Sequence, residues 1–214
     1  MRMRNFLGRG STTKRMGRFP SIKMRASVWW ESPLERDYIF LLEIDPFVTR
    51  FREQPFRIYY QLGTTSHHYT PDFLVARGIR TQIVEVKTKE EAETEQNLRI
   101  FRAVALVCGQ SGYEFVVVTD ADIRVQPRLQ NVQVLWRYAR TRFLPQHQIY
   151  CNQALRSGPI PLGELTRFFD SKRVGRAVVY SLIYWGVLNV DLMRPLNHAT
   201  IVSLPAATAA RGEF

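Results

Sequence analysis

Acidic residues are missing from the first 30 positions of this 214-residue chain, which hold eight basic ones: Arg2, Arg4, Arg9, Lys14, Arg15, Arg18, Lys23 and Arg25. Negative charge stays scarce beyond them, with 19 Asp and Glu against 30 Lys and Arg and a net charge of +11. That imbalance points to a polyanionic partner, nucleic acid before anionic membrane. Long hydrophobic runs are also lacking. The longest, Ala177 to Leu188, is broken by Ser181 and Gly186 and falls well short of the roughly 20 residues that span a bilayer. No basic amphipathic helix offers itself to a membrane surface either. Cysteine is rare: Cys108 and Cys151 show no metal-ligand spacing and imply no disulfide framework, which fits a cytoplasmic location. The apolar fraction, 45%, is that of an ordinary globular protein with one substantial core and room for a small second domain.

Residues 1–30 read as a basic N-terminal arm. Gly8, Gly10, Ser11, Thr12, Thr13 and Gly17 break any apolar period, and Arg9, Lys14, Arg15, Arg18, Lys23 and Arg25 are candidate DNA-phosphate contacts. Such contacts are independent of base sequence and sensitive to salt. A solvated tail and an Arg- and Ser-rich transit peptide are the alternatives.

Ser32-Pro33-Leu34-Glu35 opens a helix running to about Glu43, with Ser32 as N-cap and Pro33 at the first helical position. Glu35 completes a capping box, which is reason enough for a Glu there. On a helical wheel it also falls within the apolar arc of Leu34, Tyr38, Ile39, Leu41 and Leu42, whereas Arg36, Asp37 and Glu43 fall outside. A carboxylate turned toward the core needs a partner, and a metal would be one.

Downstream, strands are expected over 47–51, 56–60 and 69–75, the last continuing around Gly78 into 80–87 as an antiparallel meander. Pro71-Asp72 opens one strand, and Glu85-Val86-Lys87 closes the next. Alternation puts Glu85 and Lys87 on one face and Val84 and Val86 on the other. Two carboxylates and an ammonium suit phosphodiester hydrolysis. Carboxylates hold Mg²⁺ through oxygen, the metal acidifies water, and a lysine positions that water or stabilises negative charge. His67 and His68 point to opposite faces of their strand and read as rim or DNA-facing residues. A helix over about 89–108 and a buried apolar strand at 115–118 complete an α/β core.

These residues resemble a known family. Pro71-Asp72 with Glu85-x-Lys87 looks like the PD-(D/E)xK nuclease signature. Glu31-Ser32-Pro33-Leu34-Glu35-Arg36-Asp37, Leu42-Glu43-x-Asp45-Pro46-x-Val48, Gln54-Pro55 and Tyr69-x-Pro71-Asp72-Phe73 together resemble the TnsA endonuclease subunit of heteromeric cut-and-paste transposons. The resemblance covers roughly residues 1–140 and implies a restriction-endonuclease-like mixed sheet flanked by helices. It implies Mg²⁺, with Mn²⁺ as a substitute, on Glu35, Asp72 and Glu85, and Lys87 as the catalytic lysine. It further implies cleavage at the 5′ side of transposon ends in double-stranded DNA, beside a TnsB-like transposase and a TnsC-like ATPase regulator in a prokaryotic cell. A stand-alone restriction- or repair-type nuclease and a non-catalytic DNA-binding adaptor are the competing readings.

The nuclease domain is expected over 31–143, a winged-helix-like α+β domain over 144–204 and a frayed tail over 205–214. In the second domain three helices precede a short hairpin, with strands from Gly186 and from Thr200. Lys172, Arg173 and Arg176 start its long helix as candidate DNA contacts. A small protein-interaction domain with a basic rim is the alternative.

Overall fold

The computed structural model of the protein describes residues 15–169 and 172–205. It begins with an antiparallel hairpin, β1 (Gly17–Ser21) and β2 (Ala26–Trp30). Alternation turns Phe19 and Val28 inward, and both are buried against the rest of the fold. The expected basic arm is therefore folded from residue 17 onward, while its residues 1–14 lie outside the described residues. With strands of five residues, the burial of one ring and one valine was too weak a pattern to register among the polar positions.

Helix α1 (Pro33–Ile44) starts as its cap dictates, the Ser32 hydroxyl accepting from the Glu35 amide at 3.1 Å. Tyr38, Ile39 and Leu42 bury its apolar face. At its other end Lys23 Nζ donates to the carbonyls of Leu42 (2.7 Å) and Asp45 (2.6 Å). The lysine satisfies oxygens that the helix terminus leaves free and sets a cation at the negative end of its dipole.

Five strands follow: β3 (Val48–Glu53), β4 (Ile58–Leu62), β5 (Thr65–Tyr69), β6 (Phe73–Arg77) and β7 (Arg80–Lys87). Helices α2 (Lys89–Ala92) and α3 (Glu95–Gln110) then cross to β8 (Glu114–Thr119). The central sheet has the order β3-β6-β7-β8, antiparallel until the β7–β8 pair, which the α3 crossover makes parallel. The meander expected from sequence is interrupted. β4 and β5 pair with each other as a separate hairpin and do not join the central sheet. The chain leaves the sheet at Gln54, whose φ of 40° is left-handed, and Pro55 follows; it returns at Phe73.

Both faces of the sheet are covered, so Ile83 through Val86 are all buried. On one face Phe51, Phe73, Val75, Val84 and Val86 meet α1 and the β1–β2 hairpin. On the other, Ile83 packs with Ile58 and Tyr60 of β4 and with Val104 and Cys108 of α3. Cys108 and Cys151 are free and buried, and burial raises both thiols, Cys151 to about 11.

After α4 (Asp120–Ile123) comes α5 (Arg128–Tyr138), which is built into the C-terminal core through Leu135. The C-terminal region contains α6 (Pro145–Ala154), β9 (Ile160–Pro161), α7 (Leu162–Leu165), α8 (Lys172–Tyr184) and β10 (Ile201–Val202). Val178, Val179, Leu182 and Ile183 of α8 are buried as their spacing required. The strand expected from Gly186 reduces to an isolated bridge between Asn189 and Ser203, and β10 pairs with β9. Asn131 of α5 fixes the loop between, its amide donating to the carbonyls of Leu192 (2.8 Å) and Arg194 (2.7 Å).

Two α1 carboxylates placed outside the apolar arc are buried: Asp37 and Glu43. Asp37 pairs with Arg124 (3.0 Å) and Arg36 (3.1 Å). Glu43 accepts from the Ser21 hydroxyl, the Ile22 amide at 3.0 Å and the Tyr184 hydroxyl at 3.1 Å. One carboxylate thus joins the N-terminal hairpin, α1 and α8. Glu43→Ala removes the acceptor these buried donors share, and is expected to destabilise the protein by about 2–4 kcal/mol, read by chemical denaturation. A loss below about 0.5 kcal/mol would contradict that role.

Candidate active site

The antiparallel register of β6 and β7 builds the site. Phe73 faces Val84, so Asp72, one residue earlier, comes opposite Glu85, one residue later. Asp72 Oδ2 accepts from the Val86 amide at 2.7 Å, which pins the carboxylate to the end of β7. Two residues beyond Glu85, Lys87 emerges on the same face, and its ammonium contacts Glu85 Oε1 at 2.8 Å. Glu85 is buried, its side chain 4% exposed, whereas the Lys87 side chain is 32% exposed at the mouth of the cluster.

The N-terminus of α1 supplies Glu35. Its Oε2 accepts at 2.8 Å from the amide of Glu31, one residue before the Ser32 cap, so of the capping box expected from sequence only the Ser32 half forms. The same carboxylate lies near enough to act on Asp72 electrostatically. Asp72, Glu85 and Lys87 are thus in one cluster, with Glu35 bordering it. Among the described residues no set of three or more His, Cys, Asp or Glu side chains stands as a ready-made metal site. Each carboxylate is held elsewhere: Glu35 by Glu31, Asp72 by Val86 and Glu85 by Lys87.

The electrostatics of the cluster are unbalanced. Burial, then the negative charges of Glu85 and Glu35, push the Asp72 carboxyl up to about 8. Burial also raises Glu35, against the pull of its hydrogen bond from Glu31. For Lys87, burial works against the charge, but the Glu85 and Asp72 carboxylates outweigh it and hold the ammonium above its ordinary value. Glu85 Oε2 is buried with no hydrogen-bond partner. Excess negative charge, carboxylate oxygens and an orphaned buried oxygen are what a hard divalent cation satisfies, so these residues fit one.

Tyr69, the last residue of β5, was quoted in the family motif without a role. Its hydroxyl is also buried and unpartnered. Burial and the adjacent Glu85 charge push it far above the ordinary phenol range, so it remains a protonated donor beside Glu85. Its signal in the sequence was its place three residues before Asp72.

The expected DNA contacts divide. Arg15, Arg18, Arg25, Arg173 and Arg176 are exposed, and Arg18 stacks on Trp29 at 4.2 Å. Lys23, half-buried, has its ammonium engaged by the carbonyls at the α1 terminus. Arg9 and Lys14 lie outside the described residues, as does the side chain of Lys172. His67 and His68 are exposed on β5 and stack across the hairpin with Tyr60 and Tyr59.

A family model, the TnsA-like endonuclease N terminal, matches residues 45–120. No curated protein matches the chain. The matched span runs from β3 to β8 and contains Asp72, Glu85 and Lys87, the residues whose motif first suggested this family. Over residues 45–120 the chain is thus similar to a TnsA-like endonuclease N-terminal domain.

Proposed function

We propose that the protein is a divalent-cation-dependent DNA endonuclease that hydrolyses the strand at the 5′ side of transposon ends during cut-and-paste transposition. The observation that carries this reading is the Asp72–Glu85–Lys87 cluster inside a TnsA-like endonuclease domain. Mg²⁺, with Mn²⁺ as a substitute, would be held by Asp72, Glu85 and Glu35. When bound, it would acidify water and offset charge on the departing phosphate oxygen.

The protein's own side chains do the rest. Lys87 keeps its proton while it pairs with Glu85, so it serves as a fixed positive charge for the phosphodiester oxygens and not as a base. Tyr69 offers a buried hydroxyl donor beside Glu85. Arg15, Arg18 and Arg25 on the N-terminal hairpin, with Arg173 and Arg176 on α8, supply sequence-independent phosphate contacts. The C-terminal region, read as winged-helix-like, engages DNA and partner subunits. Those partners are a TnsB-like transposase, which cuts the other strand, and a TnsC-like ATPase regulator. A nuclease acting on transposon ends would work in the cytoplasm with its DNA; among the described residues no helix is long and apolar enough to cross a membrane.

The test is cleavage of transposon-end DNA by the protein together with its transposase, in Mg²⁺ or Mn²⁺. Asp72→Ala should abolish the cut at the 5′ side, and Lys87→Ala should lower its rate by about 10²-fold or more, with folding retained. Intact cutting by Asp72→Ala, Glu35→Ala and Lys87→Ala alike would refute the assignment. A second outcome concerns stability. Because Asp72 is raised from 3.8 to about 8, its contribution is fully present below pH 4 and lost as pH rises through 8. Asp72→Asn keeps an acceptor for Val86 without the charge. It should stabilise the metal-free protein at pH 7 by about 1–2 kcal/mol in thermal melting, allowing for partial exposure. Destabilisation by a similar amount would show that the charge is not strained.

A further inference from the structure

Gln54 occupies a left-handed backbone at φ 40°, a conformation that is costly for a non-glycine residue and persists only where its surroundings impose it. Two hydrogen bonds hold it there, and a third extends them to Glu35. The Gln54 amide donates to the Asp72 carbonyl at 2.8 Å, and its Nε2 donates to Glu31 Oε1 at 2.7 Å. The Glu31 amide in turn donates to Glu35 Oε2 at 2.8 Å. A continuous chain of contacts therefore runs from Asp72, which precedes β6, through Gln54 at the end of β3, to Glu35 at the start of α1. No other described hydrogen bond joins Gln54 to these elements, and its side chain reaches neither carboxylate directly.

We propose that Gln54 is a positioning residue, a clasp that sets the placement of Asp72 relative to Glu35. Its backbone holds one carboxylate's residue, and its side chain holds the turn that caps the other. The clasp deepens the endonuclease reading and rests on it for its catalytic consequence, but not for its existence.

The side-chain arm has a direction: Gln54 donates and Glu31 accepts. Gln54→Glu sets two carboxylates against each other, Glu31→Gln alone leaves an acceptor in place, and the two substitutions together restore a bond of reversed polarity. The metal-free readout is hydrogen exchange of the Val86 amide, which donates to Asp72 Oδ2. Gln54→Glu should speed it by about tenfold or more, Glu31→Gln should leave it nearly unchanged and the double variant should return it, while Val179 in α8 exchanges as in the parent. With Mn²⁺ and DNA in the presence of the transposase, Gln54→Glu should lower kcat by about tenfold or more with KM for DNA unchanged, and the double variant should recover it. Unchanged Val86 exchange in Gln54→Glu, or no return in the double variant, overturns the clasp. Should Gln54→Glu fail to fold, Gln54→Gly, which favours the same backbone and lacks the side chain, takes its place: faster Val86 exchange supports the clasp and parental exchange overturns it. If the parent cuts no DNA, the endonuclease reading falls while the exchange data still decide the clasp.

Discussion

Like charge held together inside the β6–β7 ladder is the constraint on which the rest of the site depends. The strand register leaves Asp72 and Glu85 no alternative to proximity, and the cover on both faces of β7 buries Glu85. Lys87 neutralises one oxygen of Glu85, and the Val86 amide engages one oxygen of Asp72. The remaining charge has no partner. A fold selected for stability alone would place apolar side chains here, since buried unpaired charge is costly. Under the proposed function that cost is offset when a divalent cation binds.

Charge of the same sign is treated differently elsewhere in the protein. Glu43 and Asp37 are buried too, yet each is surrounded by donors: hydroxyls and an amide for Glu43, two guanidinium groups for Asp37. They tie α1 to the N-terminal hairpin, to α8 and to the segment after α4. The contrast separates carboxylates that hold the fold from carboxylates the fold holds. The second group lies at the end of the sheet where α1 begins, so a single helix presents Glu35 to the site at one end and anchors the C-terminal region through Glu43 at the other.

Much of this was legible in the sequence, and the exceptions share a cause. The capped start of α1, the strands on either side of Gly78 and the positions of Asp72, Glu85 and Lys87 follow from local rules: cap chemistry, alternation and turn residues. Asp37 and Glu43 could not be read that way, because a helical wheel registers only one apolar partner. Their burial comes from elements far along the chain, α8 and the segment around Arg124, packed on the second side. The β4–β5 hairpin shows the same limit. Alternation marks a strand but does not name its neighbour, and the left-handed turn at Gln54 decides that these two leave the central sheet. Lys23 belonged to a run of basic residues, and nothing local distinguished a helix-terminus ligand from a phosphate contact. Tyr69 and Gln54 were visible within the family motif, but their roles depend on atoms brought near only by the fold.

If the carboxylate cluster is a cation site serving hydrolysis, it must bind the cation before any DNA is present. Calorimetric titration of Mn²⁺ into the metal-free protein and its Glu85→Ala variant tests it most directly. Saturable binding is expected of the parent, lost or weakened by at least about tenfold in the variant, since Glu85 carries the orphaned oxygen. No binding by either protein, or equal binding by both, would contradict it.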